Sequence, residues 1–433
     1  MTTQGGQTIR RICTGFTGIT AVLILLVYGR SILSSSNVVK FIPFKGQLLN
    51  KGALFPLSWQ VDGLGAFFIF VLLLGQTLAS FYAWGYLKEY QGRKSLNLFS
   101  FFWILFLISM YGVVIAGDGF TFLLMWELMS LFSFFLVLYE HEESHNRRAA
   151  FIYLVMTHVG TVFLTSAILF IYSKTGTFSF EAWTTIKSLV PAWQLNLLYL
   201  CFFLGLGTKA GMVPLHIWLP YAHSAAPTPV SALMSGVMVK IALYVFLRII
   251  WVSIGISAAW WGWLLLVIGA ASALIGILFA SVEGDIKRTL AYSTVENVGI
   301  LTMAMGLAFV AKYYEMNSIA ILALAAFCWH LLQHLLFKSV MFMGAGNVIQ
   351  ATHTRRLELM GGLLKRLPKT GKWVLISAAG LAALPPLGGF WGEWLLFNSL
   401  WQGAREMSDG WSRVVLPLCV SLLGIVGAVA VAT

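Results

Sequence analysis

Apolar runs of about 20 residues recur from one end of this 433-residue chain to the other, separated by short polar connections. That is the length an α-helix needs to cross a hydrocarbon core about 30 Å thick. A chain that repeats the pattern this often must fold as membrane-crossing helices, because in lipid each backbone polar group has to be satisfied within its own segment. A membrane β-barrel is excluded, since barrels show alternation over about 10 residues instead of unbroken apolar runs. Composition agrees: 59% of residues are hydrophobic and only 10% charged, against about 25% charged in soluble domains.

We read about twelve spans. They cover 12–29, 60–86, 97–116, 119–139, 148–173, 193–213, 225–250, 259–281, 287–310, 316–349, 371–402 and 413–432. The sixth and the eleventh are broken, near Gly211-Met212-Val213-Pro214 and Leu384-Pro385-Pro386-Leu387-Gly388-Gly389. The first run is expected to be retained, because no A-x-A-like cleavage site follows it. Residues 30–59 form a longer polar and aromatic connection. With the N-terminus inside, cytoplasmic loops hold 15 Lys and Arg against 9 on the other side, as the positive-inside rule requires. The net charge of +12 is therefore a topology signal and not a nucleic-acid patch.

Two halves look related. Residues 97–250 and 259–433 each hold five spans, with the fourth one broken; residues 1–96 precede them. Each half carries an acid in its second span, Glu127 or Glu296. An odd number of spans inverts the second copy, and inverted repeats with matched broken helices mark ion and solute transport folds. The expected fold is all-α and polytopic, with two inverted five-helix repeats.

A charge at the bilayer centre costs roughly 3 kcal/mol on insertion scales, so such residues are rare and usually functional. Lys209 lies just before the first break and Lys240 in the body of the next span. Glu127 stands near the middle of FTFLLMWELMSLFSFFLVLY with no other charge. The expected arrangement is a Glu127–Lys209 ion pair whose making and breaking loads and empties the lysine. A structural pair that locks two helices is the plainer alternative. Arg248 reads as a snorkelling end residue.

His330, His334 and Lys338 recur at i, i+4 and i+8, on one helix face. A zinc site is weak here, because no carboxylate or cysteine completes a tetrahedral set. Core histidines satisfied by backbone are the structural alternative. A proton relay fits better, since a neutral imidazole accepts on one nitrogen and donates from the other. Glu393, the acid after the second break, reads as the exit group, or as a carboxylate reaching water at a helix end. His216 and His223 either admit protons or order their loop. Glu283, Asp285, Lys287 and Arg288 read as a solvated connection. Cys13, Cys201, Cys328 and Cys419 lie singly in apolar segments, and GLGTKAG and GAGNV follow no strand. No iron–sulfur, haem, metal or dinucleotide site is expected.

At these residues the chain resembles the antiporter-like family. That family includes the proton-pumping membrane subunits of respiratory complex I, the large subunits of multi-subunit Na⁺/H⁺ antiporters and membrane subunits of energy-converting hydrogenases. The motifs are MWELMS, GTKAGMVPLHIWLPYAHSAAPTPVSALMSGVMVK, VEGDIKRTLAYSTVENVGI, HLLQHLLFKSVMFMGAGNV and LPPLGGFWGEW. The wording looks most like the large membrane subunit of hydrogenase-4 and formate hydrogenlyase. The resemblance implies a half-channel in each inverted repeat, joined by a hydrophilic axis at the membrane midplane. It implies Glu127 and Lys209 as the family's glutamate and pumping lysine, Lys240 as the connecting basic residue, His334 and Lys338 in the axis, and Glu393 in the terminal position. It carries no role to Glu296. Against relatives, the chain is expected to lack one N-terminal span and the helices that follow its end.

The expected function is a proton-translocating, non-redox subunit of an oxidoreductase complex in a bacterial or archaeal cytoplasmic membrane. Its expected partners are other membrane subunits, a peripheral redox arm and the bilayer. A cation/proton antiporter subunit without redox partners is the first alternative, and a non-conducting scaffold the second. A sodium site would need a cage of oxygen ligands, whereas the midplane groups are largely basic.

Overall fold

The computed structural model describes residues 57–407 and 410–432, together with the backbone of 44–47. The first expected span, 12–29, lies outside the described residues. Nine described helices are long and apolar enough to cross a membrane. The chain runs through α1 (Gly63–Tyr86), α2 (Leu96–Ile115), α3 (Gly119–Val137), α4 (Ser144–Thr175) and α5 (Ala192–Ala210). After a break come α6 (Trp218–Ala225) and α7 (Thr228–Ile254), then α8 (Ala259–Val282), α9 (Ile286–Tyr313) and α10 (Asn317–Thr352). A second break separates α11 (Pro368–Leu381) from α12 (Gly388–Glu406), and α13 (Ser412–Ala432) follows. Both breaks fall where proline and glycine predicted them.

Helix starts follow capping chemistry. Asp62, Ser95, Asp118 and Asp285 each accept a backbone N–H of the first turn, satisfying donors that the helix leaves free. At the first break Gly211 adopts φ 80°, which ends α5 in the left-handed conformation glycine tolerates best. Trp218 Nε1 then donates to the freed Thr208 carbonyl at 2.7 Å. His223 lies inside α6, so the segment expected to be a plain loop is partly helical.

One difference is a hairpin in the expected connection. Strand β1 (Phe44–Gln47) pairs antiparallel with β2 (Ser58–Val61), Phe44 opposite Val61. It ties into the mouth of α3: Gly117 N donates to Ser58 O at 2.9 Å, and Asp118 accepts from Ser58 N at 3.0 Å.

The core is the stack α7–α9–α10, and α9 is buried along its apolar length. Helices α8 and α9 touch backbone to backbone through glycines seven residues apart. A Cβ on Gly269 or Gly262 would sit 2.6 Å from the amide of Met303 or Val310, and one on Gly299 or Gly306 would sit 2.3 or 2.5 Å from that of Ala273 or Leu266. Small residues at this spacing let membrane helices approach closely and gain dispersion contact that lipid does not offer.

Candidate proton-handling site

Lys209 is buried, 1% exposed. It sits one residue before the end of α5, where α3 and α4 cross. Its Nζ donates to Ser130 Oγ and to Tyr153 OH, both at 2.9 Å. Tyr153 OH in turn meets Ser133 Oγ at 2.6 Å. The Trp126 and Tyr153 rings lie 5.9 and 5.1 Å from Nζ, near enough for a cation–π contribution. Trp126, Ser130 and Ser133 recur at i, i+4 and i+7, so α3 turns this face inward.

The expected Glu127–Lys209 ion pair is not a direct contact. Glu127 is turned to the flank of that face, and its Oε2 lies 3.5 Å from His158 Nε2 on α4. The two side chains are 35% and 53% exposed on the outer wall of the bundle. Glu127 Oε1 has no hydrogen-bond partner among the described residues. Lys209 nonetheless stays within electrostatic reach of Glu127. Sequence reasoning missed His158 and Tyr153. His158 was legible as an ionisable group inside an apolar run; its partner was not.

Lys240 is fully buried, which removes any snorkelling reading. Its Nζ donates to Gly236 O at 2.5 Å and Ser235 O at 3.4 Å. Those carbonyls belong to a π-helical turn, Met234–Met238, where the ladder is stretched and backbone oxygen is freed. Lys240 is in electrostatic reach of Lys338, His330 and His334.

The rings of His330 and His334 stack 6.4 Å apart. His330 Nε2 meets Asn297 Oδ1 at 3.1 Å, while neither ring nitrogen of His334 has a hydrogen-bond partner among the described residues. Among the described residues, neither ring is held by a backbone group. A buried imidazole nitrogen left unpaired by the protein is the kind of polar atom that an ordered water satisfies. Lys338 Nζ donates to Ser293 Oγ at 2.8 Å and Leu290 O at 3.2 Å. Glu296, buried at 3% exposure, interacts electrostatically with Lys338, and Asn297 Nδ2 reaches its Oε2 at 3.4 Å.

Glu393 stands apart. It lines an open cleft of about 260 Å³ between α12 and α13, with Phe390, Trp394 and Leu423. It lies within electrostatic reach of Glu296. The structure thus gathers Lys209 with Ser130 and Tyr153, and gathers Lys240, His330, His334, Lys338 and Glu296. Glu127 and Glu393 lie towards the bundle's outer surface.

Two further expectations change. Arg248 does not snorkel: it clasps Asp62 through Nη1 and Nη2 at 2.5 Å each and is 8% exposed. Lys287 is not solvated: it is 2% exposed and donates to the carbonyl oxygens of Ala226 and Ser224. Among the described residues no cluster of three His, Cys, Asp or Glu occurs around the histidine pair.

Residues 116–411 match the family described as NADH:quinone oxidoreductase/Mrp antiporter, TM. Hydrogenase-4 component B of Escherichia coli is 39% identical over 378 residues, which is 87% of this chain and 55% of that protein. Formate hydrogenlyase subunit 3 of the same organism is 35% identical over 318 residues, 73% of this chain and 50% of that protein. The chain spans about half the length of the curated relatives it matches. Among solved structures, a chain of the Mrp complex from Dietzia sp. DQ12-45-1b has a TM-score of 0.80 at 22% identity, over 98% of this chain and 74% of that one. That likeness is one of fold.

Proposed function

The chain belongs to the NADH:quinone oxidoreductase/Mrp antiporter family of transmembrane subunits, and on that premise we propose that it is a proton-translocating, non-redox membrane subunit of a respiratory-type oxidoreductase complex, of the hydrogenase-4 or formate hydrogenlyase kind. The supporting observation is the row of buried ionisable groups through a largely apolar interior: Lys209, Lys240, the His330–His334 pair, Lys338 and Glu296. Ionisable side chains at membrane depth are costly and are retained for ion pathways.

Lys209 is the loading site in this reading. Its two hydroxyl partners are neutral, so its charge depends on how near Glu127 stands. His158 competes for the same carboxylate. When Glu127 swings from His158 to Lys209, the lysine gains a counter-charge and takes up a proton; when it swings back, the proton is released along the axis. Lys240, the two histidines and Lys338 pass it on through bridging water, and Glu393 is the exit. Moving one charge against 100 mV takes about 2.3 kcal/mol, within what remaking a partly buried ion pair supplies.

The organisation that goes with this mechanism is about twelve spans and two inverted repeats, 97–250 and 259–433, after N-terminal helices in 1–96. In support, α5–α6 and α11–α12 are each broken fourth members of a set of five. Lys209 precedes one break and Glu393 follows the other. The N-terminus is cytoplasmic in this arrangement, and the membrane is a bacterial or archaeal inner membrane. Partner membrane subunits and a peripheral redox arm complete the complex.

The family's inclusion of Mrp antiporters favours one second reading, a cation/proton antiporter subunit without redox partners. The basic interior speaks against a Na⁺ cage. The deciding experiment is Lys209→Ala in the assembled complex in inverted membrane vesicles. Redox-driven acidification should be lost, and undiminished acidification overturns the proposal. Acidification that needs Na⁺ and no redox substrate would favour the antiporter.

A further inference from the structure

His223 has no part in the axis just described, yet its surroundings are built for proton handling. It is 0% exposed. Neither ring nitrogen has a hydrogen-bond partner among the described residues. The ring stacks on Trp218, at 6.3 Å, and makes a tilted contact with Phe342, at 5.6 Å. Phe342 lies one turn beyond Lys338 on α10, so this stack places His223 beside the lysine's helix face.

Lys287, at the start of α9, reaches the same segment. Its Nζ donates to the carbonyls of Ser224 and Ala226, the residues just after His223. Arg355 binds the same Ser224 carbonyl at 2.8 Å. The charged groups acting on His223 are Lys287 from α9 and Lys338 from α10. Lys287 in turn interacts with Glu140, which accepts from Tyr90 at the loop face that also carries Lys94, Glu142 and Arg147. The imidazole packs against two rings and lies under the electrostatic influence of two buried lysines and the Ser231 backbone, with neither nitrogen in a well-formed hydrogen bond among the described residues. An apolar residue would fill the slot without leaving two polar atoms unsatisfied.

Resting on the proton-translocation reading above, we infer that His223 is the middle carrier of a second proton branch, running from Glu140 and Lys287 at the loop face to Lys338 on the midplane axis. An N–H bond of the Lys287 ammonium breaks as one forms on a ring nitrogen of His223. The N–H on the other ring nitrogen then breaks as its proton passes to the neutral amine of Lys338, through water where contact is not direct. Charge is conserved at each step, and His223 with the two buried lysines that act on it holds fewer than three protons in a poorly solvated interior. His216, half-buried beside the break, is not on the branch.

The test uses the assembled complex in inverted vesicles, with the loop face in the outer medium. His223→Met keeps a similar volume, and His223→Gln keeps hydrogen bonding without titration. Both should slow initial acidification about ten-fold at pH 8, a modest share of what a positioned proton-transfer group contributes. The loss should shrink as the medium is brought to pH 6, because supply from the loop face is what limits the rate. Lys287→Met should behave alike. Wild-type rates in both His223 variants, with Lys209→Ala inactive, overturn the branch and leave the translocation reading standing. A loss in His223→Met that His223→Gln restores, or one independent of pH, also overturns it, as that is a structural role. Should His223→Met fail to assemble, His223→Gln alone carries the test.

Discussion

Arg248 and Asp62 show at single-residue scale how this bundle tolerates charge outside its proton path. The guanidinium, 8% exposed, grips the carboxylate that caps α1, and Tyr244 OH supports Nε at 3.0 Å. Burial by itself would raise the pKa of Asp62. The hydrogen bonds and charge of Arg248 outweigh it and hold the carboxyl below its ordinary value of 3.8. A carboxyl lowered by folding adds stability that is complete above its unfolded pKa and fades as pH falls through the folded one. Removing one member of a buried pair costs 3–5 kcal/mol, and the one-third exposure of Asp62 reduces this to about 2 kcal/mol. Asp62→Asn should therefore lower the thermal midpoint of the purified protein throughout pH 5–8, and the gap to wild type should close below pH 3.8. A gap unchanged at pH 3 would show that the pair's charge is not what stabilises the α1–α7 contact.

Among elements, α8 and α9 approach closely enough for their backbones to touch along several turns. Gly299 stands one turn beyond Glu296, and its missing Cβ is what lets the two backbones touch. Gly299→Val would push α9 off α8 and shift Ser293, Glu296 and Asn297 relative to Lys338 and His330. Overpacking of this kind costs 1–3 kcal/mol or more. We expect sharply reduced membrane levels of Gly299→Val, measured by immunoblot, with Gly284→Val on an open loop as the control. The heptad spacing of Gly262, Gly269 and Gly276 was present in the sequence but is silent until a partner helix is known. The same limit explains the site. Lys209, Lys240, His334 and Lys338 were legible, because hydropathy alone makes a charge in an apolar run conspicuous. Both breaks were legible from proline and glycine. Which acid pairs with which base was not, because that depends on rotation of α3 and α4 about their axes by some tens of degrees. Hence Glu127 was assigned to Lys209 and stands against His158, and Lys287 looked solvated though α6 buries it.

Across the whole molecule, the interior charges are covered and the end ones are not. Glu296 is 3% exposed at the centre, whereas Glu127 is 35% exposed on one outer wall and Glu393 opens into its cleft. A carboxylate facing lipid at this depth is costly, so a neighbouring membrane subunit must cover it if the proposed complex is right. A lipophilic carbodiimide reacts with carboxyl groups it can reach from the membrane, and its adducts are located by peptide mass spectrometry. In the subunit released from its complex by detergent, Glu127 and Glu393 should be labelled and Glu296 spared. In the intact complex Glu127 should be protected, because the surface it shares with His158 is then an interface. Equal labelling of Glu127 in both preparations would mean that this wall faces lipid even in the assembly. The Glu127–His158 pair would then be a local device of α3 and α4, and coupling to a neighbouring subunit would have to reach Lys209 by a route other than this wall.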